Sequence, residues 1–284
     1  MLMLVAPVLW STAGVVTRHI ERAAAFEQVF WRSLFAFVFV AFSLLLIEKK
    51  SPLKAAKAAG WPGLLSGAMW AVMFTAFVVA LSLTTTANTL VVMSVSPLLT
   101  ALLARMVLSD PLPLRTWLAA GAAAAGIAWM FGFSVEKSHV AGMLVALVIP
   151  LATAVNVVTL RAAAAKLDLV PAVMLGGALS CLVAVPLALP LQASARDLAL
   201  LAFLGFFQLG LPCMLLVIAS RTLLAPEIAL LGLLEVVLGP LWAWLGAGEE
   251  PARVTLLGGL VVLAALAFNE LSGLRLRPAR RAPP

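Results

Sequence analysis

Glu235 lies in the middle of a long apolar run, Leu233-Leu-Glu-Val-Val237, and is the one deeply placed acid of the sequence. A carboxyl in that setting can hold an amine, carry a proton, or serve as structural partner to a buried arginine or to free backbone donors. Arg32, in Phe30-Trp-Arg-Ser33, is the obvious counter-charge. It falls about a turn into its own apolar run, and its side chain can reach toward Glu235 or snorkel outward. Gln208 sits within Gly205-Phe-Phe-Gln-Leu-Gly-Leu-Pro212, where two glycines and a proline predict a weakened or bent helix. Irregular backbone at membrane depth lines a cavity or packs against protein. Asn88, Asn156, Ser94, Ser96 and Thr100 add hydrogen-bonding capacity, although serine and threonine often bond their own helix. Trp10 and Trp70 lie deep in their runs and offer either flat apolar walls or ordinary packing.

These groups suit recognition of a small polar molecule with an apolar side better than they suit bond-making. His19 and His139 both lie near the ends of runs, and neither a His-Glu-x-x-His nor a Gly-x-Ser-x-Gly pattern occurs. Without a nucleophile–base pair or clustered ligands, the expectation is no enzyme, no catalytic residue, no metal and no cofactor. Cys181 and Cys213 lie inside apolar runs without metal spacing and read as inert packing residues.

The elements that must position these residues are membrane helices. Hydrophobic residues make up 64% of the 284 and charged residues 11%, more apolar surface than one soluble core can hide. The runs are continuous rather than alternating, so they predict helices and not a barrel. Ten are expected, at 2–18, 28–47, 62–82, 86–108, 114–133, 140–160, 171–191, 198–219, 227–246 and 254–273. Gly63-Leu-Leu-Ser-Gly67 and the small-residue face Ala119–Gly126 read as packing surfaces. Prolines 7, 97, 150, 186, 212 and 240 predict kinks. No linker is long enough to join soluble domains, and the start of the first run lacks the basic leader and cleavage site of a signal peptide.

The ten runs form five written twice. Pro7-Val-Leu-Trp-Ser-Thr-Ala-Gly-Val-Val-Thr-Arg18 returns as Pro150-Leu-Ala-Thr-Ala-Val-Asn-Val-Val-Thr-Leu-Arg161 at an offset of 143. Val95–Arg105 returns more loosely as Leu234–Trp244, and Asp110-Pro111 and Glu250-Pro251 follow them. Five is odd, so the second copy must insert upside down, as in secondary transporters. The expected fold is therefore an all-α membrane protein of ten transmembrane helices, two inverted five-helix repeats around a central cavity. Residues 1–284 form one integral membrane domain, with repeat one at 1–135, repeat two at 136–276 and a basic tail at 277–284.

The net charge of +7 is a topology signal rather than a nucleic-acid footprint. With the N-terminus inside, the inner loops and tail carry Lys49, Lys50, Lys54, Lys57, Arg105, Arg115, Arg161, Lys166, Arg221, Arg275, Arg277, Arg280 and Arg281. The outer regions carry Arg18, Arg22, Arg32, Lys137, Arg196 and Arg253. That excess predicts cytoplasmic termini. Trp31, Trp61, Trp117, Trp129, Trp242 and Trp244 lie toward run ends, where an indole belt belongs.

Leu9-Trp-Ser11, an arginine early in the second run, and the stretch from Pro97 to Asp110 before a glycine-spaced fifth run resemble the drug/metabolite transporter superfamily, EamA type. Leu234-Glu235-Val236 stands where that family commonly shows Leu-Glu-Pro, with Pro240 four residues later, which shifts the implied kink. The Leu-Trp-Ser-Thr stretch is also compatible with the YddG-like branch of amino-acid exporters. The resemblance implies a bacterial inner-membrane exporter of amino acids or similar metabolites. The first four helices of each half would enclose the cavity.

On this reading Trp10, Ser11, Trp70, Asn88, Asn156, Gln208 and Glu235 bind the substrate, while Arg32, Pro97, Pro212 and Pro240 serve structure or gating. Aromatic and other hydrophobic amino acids come first. A drug or nucleotide-sugar carrier, or a non-transporting structural or lipid-interacting membrane protein, are the alternatives. The expected partners are the small-molecule substrate, membrane lipid and a second copy of the chain as a candidate homodimer, with no nucleic acid.

Overall fold

Apolar runs of this length leave the backbone no partner but itself, and the chain folds accordingly. The computed structural model describes residues 2–108, 113–133, 137–163, 166–219 and 225–275, and contains no strand among them. The first rod is bent, α1 (Leu2–Ser11) passing into α2 (Ala13–Thr17) at Thr12. Then come α3 (Ala25–Leu46), a short α4 (Pro52–Ala58) and α5 (Gly60–Leu83). A second bent rod joins α6 (Thr86–Met93) to α7 (Ser96–Leu108), followed by α8 (Leu114–Phe133), α9 (Lys137–Ala163) and α10 (Val170–Ala188). Next, α11 (Ala195–Phe203) widens into a π-helical segment (Leu204–Gly210) and resumes as α12 (Leu211–Ala219), before α13 (Ala225–Ala247) and α14 (Arg253–Arg275).

Among the described residues six segments are long and apolar enough to cross a membrane: Ala25–Leu46, Gly60–Leu83, Thr86–Val107, His139–Ala163, Val170–Ala188 and Ala195–Ala219. Val5–Thr17, Leu234–Ala247 and Arg253–Asn269 are shorter apolar helices. The prolines divide into two groups. Pro7, Pro150, Pro186 and Pro240 lie inside helices. Pro97 is the second residue of a helix, where a missing N–H costs little, and Pro212 follows directly on the π segment. Asp110, Pro111, Arg221 and the tail residues Arg277, Arg280 and Arg281 lie outside the described residues.

Helix α3 packs on α10, and α5 packs on both α9 and α10. Helix α1 packs on α13 and α12, the π segment on α3, α6 and α7 on α9, and α8 on α14. Small residues set the closest crossings. A methyl group at Gly176 would stand 2.4 Å from Trp70 Cβ, and one at Gly205 would stand 2.4 Å from Phe35 Cβ and 2.7 Å from the Arg32 carbonyl. Gly67 meets α10 at Leu175, and Gly126 meets α14 at the Gly258 carbonyl, so both small-residue runs lie at helix contacts. The main core gathers Trp70, Phe74, Phe77, Leu209, Cys213 and Val236 with Trp10 packed against them. A second core joins Val92, Leu98, Ala123, Met143 and Leu266.

One end of the bundle is tied by buried carboxylates. Glu27 accepts from the Gln192 and Ala193 backbone N–H groups at 2.8–3.0 Å and from Trp31 Nε1 at 3.3 Å. Asp197 completes a capping box with Ser194 and also accepts from the backbone N–H groups of Glu21 and Arg22. At the other end Lys50 bridges Glu48 and Asp168 at 2.7 and 3.0 Å. Those hydrogen bonds, to Glu48 first, raise the lysine above its ordinary pKa.

Candidate functional site

Each polar side chain proposed from the sequence has a distinct position. Ser11 is buried, donates to the Val8 carbonyl at 2.7 Å and accepts from Trp242 Nε1 at 3.2 Å, which ties α1 to α13. Gln208 occupies the π segment and donates through Nε2 to the Trp10 carbonyl at 3.4 Å. The wider turn there follows from the residues that predicted a bend: Gly205 and Gly210 lack side chains to fill a tight turn, and Pro212 withholds an N–H. The Trp10 side chain in turn packs against the core that holds Cys213.

Arg32 is 4% exposed, and its guanidinium carbon stands 5.3 Å from the centre of the Phe77 ring. It lies within electrostatic reach of Cys213 and Glu235, yet among the described residues no direct ion pair joins Arg32 to Glu235. Glu235 lies deep in the bundle and keeps part of its surface accessible. Trp70, 5% exposed, packs at 5.6 Å against Phe74 in the same core. The structure thus brings Trp10, Ser11, Gln208 and Glu235 together with Arg32, from α1, the π segment, α13 and α3, and sets Trp70 in the wall beside them.

Three buried polar atoms in this region lack hydrogen-bond partners: Arg32 Nε, Trp70 Nε1 and Gln208 Oε1. Such atoms cost about 1–3 kcal/mol each when nothing fills the vacancy. Two donors and an acceptor left open in one core are what a site for a polar ligand requires.

Asn88 and Asn156 are engaged elsewhere. Asn88 donates to Thr84 Oγ1 at 3.0 Å and accepts from Thr255 Oγ1 at 2.7 Å, fastening α6 to α14. Asn156 accepts from Ser66 Oγ at 2.6 Å, fastening α5 to α9. Pro97 starts α7, Pro212 follows the π segment, and Pro240 lies one residue after Gly239, which abuts Leu90. Sequence reasoning did not single out Phe77, or the triad in which Ser33 donates to Ser180 Oγ at 2.9 Å with Thr75 at 3.1 Å. An aromatic in a run full of aromatics, and serines in apolar helices, carry no signal until the helices are docked. Among the described residues no three His, Cys, Asp or Glu side chains gather as metal ligands.

A chain whose described residues form helices and no strand, with six segments among them fit to cross a membrane and polar groups gathered inside, belongs to the class of multi-pass membrane proteins. More particularly, residues 1–132 match the model of the EamA-like transporter family, which bears out the resemblance carried by Leu9-Trp-Ser11 and Arg32. A solved structure described only as "Crystal structure of protein" superposes with a TM-score of 0.72 over 97% of this chain and 98% of its own, at 18% identity. That likeness is one of fold, and it extends through the half that the family model does not reach. No curated protein matches the chain.

Proposed function

We propose that the chain is a secondary transporter of the drug/metabolite superfamily that exports small metabolites, aromatic and hydrophobic amino acids first, by alternating access. The observation that carries this reading is the set of buried, unpartnered polar atoms on Arg32, Trp70 and Gln208 beside Glu235, contributed by helices of both halves. A zwitterion with an apolar side chain matches charged ends set among aromatic walls. The match of residues 1–132 to a transporter family supports the activity. In this reading Trp10, Ser11, Trp70, Gln208 and Glu235 face the substrate, while Asn88 and Asn156 border the cavity through the helices they fasten.

Ten crossings arranged as two inverted repeats, with both termini in the cytoplasm of a bacterial inner membrane, complete the proposal. The helix contacts support it. Helix α3 meets its own counterpart α10, and α8 meets its counterpart α14. The pairing of α1 with α13 is matched by that of α9 with α6 and α7, and the pairing of α5 with α9 by that of α1 with α12. Contacts that survive exchange of the halves are those expected of two copies around one axis.

Flux of labelled amino acids through proteoliposomes, with and without an imposed pH gradient, tests the reading. Saturable counterflow of aromatic or aliphatic amino acids is expected. Counterflow confined to cationic drugs or nucleotide sugars, or no flux of any solute, would reject it.

A further inference from the structure

We propose that Arg32 and Glu235 are the two charged poles of the substrate site, Arg32 taking a carboxylate and Glu235 an ammonium, so that a molecule lacking either charge is refused. The assignment rests on the exporter reading above and makes Arg32 a specificity residue rather than a structural one.

A structural ion pair in a bundle interior would close on itself, because two buried charges left apart each keep an uncompensated loss of hydration. Here they are held apart. Arg32 is buried to 4% exposure, its face lies over Phe77 at 5.3 Å and its Nε has no partner. The ring cannot accept the guanidinium's in-plane hydrogen bonds as an oxygen would, and the Nε side of the group is one arm of the fork that matches a carboxylate. Among the described residues Glu235 lies within electrostatic reach of Arg32, makes no ion pair with it and keeps part of its surface accessible.

The neutral neighbours repeat the polarity of the poles. Trp70 Nε1 is an unpartnered donor and Gln208 Oε1 an unpartnered acceptor in the same interior. A ligand carrying both charges satisfies both poles at once. An acid without an amine leaves Glu235 bare, and an amine without an acid leaves Arg32 bare. Sites built on buried polar groups discriminate strongly against analogues that leave one unpaired.

Three probes with one aromatic body separate the possibilities: L-phenylalanine, 3-phenylpropionate and 2-phenylethylamine, each competing with labelled L-phenylalanine in proteoliposome counterflow. With the natural chain only the zwitterion should compete. Glu235→Gln should weaken L-phenylalanine by roughly 30-fold or more and turn 3-phenylpropionate into a competitor. Arg32→Gln should do the converse with 2-phenylethylamine. If Arg32→Gln does not yield a monodisperse protein in detergent, Glu235→Gln with the acid probe decides alone. L-phenylalanine affinity within about twofold of the natural chain in Glu235→Gln, or equal competition by all three probes before any substitution, overturns the assignment while leaving the exporter reading intact. Where an aliphatic amino acid is exchanged in place of L-phenylalanine, the acid and the amine of its own side chain replace the two phenyl probes, and absence of any amino-acid flux through the natural chain overturns the exporter reading and this assignment together.

Discussion

Arg18 Nε donates to Glu249 Oε2 at 2.7 Å, joining residues 231 positions apart across the two halves of the chain. Arg18 Nη2 also donates to the Thr84 carbonyl at 3.0 Å, and Glu249 accepts from the Thr86 hydroxyl at 3.0 Å and from the Thr86 backbone N–H. One carboxylate therefore holds the end of the first rod and the start of α6 at once. In the alternating-access proposal this junction closes the Arg18 end and breaks when the cavity opens there.

Glu249→Ala should shift the protein toward the state open at the Arg18 end. The junction is partly exposed, with Arg18 at 33% and Glu249 at 15% side-chain exposure, so its worth is about 1–2 kcal/mol. Cys213, buried near Trp10, is a native reporter. In a Cys181→Ala background, a membrane-impermeant maleimide applied from the Arg18 side should label it roughly tenfold faster. An unchanged rate would show that this junction does not gate the cavity.

Glu27 should prove structural. It is 1% exposed and accepts from two backbone N–H groups and an indole. Glu27→Gln replaces one acceptor oxygen with a donor facing donors, and Glu27→Ala leaves all of them unpaired. Thermal unfolding in detergent should show losses of about 2–5 kcal/mol, larger for alanine. A midpoint within a degree of the natural chain would contradict the role.

The helical class, the bend at Gln208 and the prominence of Arg32 and Glu235 were legible because hydrocarbon penalises polarity along a single run, and one run is what a sequence displays. The partners were not legible. Asn88 reads in the sequence as a cavity amide, and nothing near it there shows that Thr255, 167 positions away, donates to its oxygen. Ser66 and Ser180 became informative only when α5 met α9 and α10. Glu249 resembled any loop acid, because nothing near it in sequence marks Arg18 as its neighbour. Intervals along the chain report burial well and contacts across the bundle poorly.

Gly205→Ala should injure the site through the backbone. Its new methyl group would stand 2.4 Å from Phe35 Cβ and 2.7 Å from the Arg32 carbonyl, so α3 must move away from the π segment. Overpacking of this kind costs about 1–3 kcal/mol. A lower unfolding midpoint together with weakened substrate affinity is expected, since Arg32 travels with its helix. Unchanged affinity in a destabilised protein would place Arg32 outside the site.

Gln208→Leu should separate function from stability. The amide donates one long bond, 3.4 Å to the Trp10 carbonyl, and its oxygen is buried without a partner. Leucine fills similar volume and removes the orphaned acceptor, which is near neutral or stabilising for a buried site. A residue kept at such a cost is expected where ligand binding supplies the missing partner, as stability is commonly surrendered at functional positions. The unfolding midpoint of Gln208→Leu should therefore match or exceed that of the natural chain while counterflow falls by about tenfold. Gln208→Glu supplies the control, because it keeps the acceptor but replaces the amide donor with a carboxylate oxygen facing the Trp10 carbonyl, which should depress the midpoint. A stable Gln208→Leu variant with undiminished flux would remove Gln208 from the site and leave the π segment as packing alone.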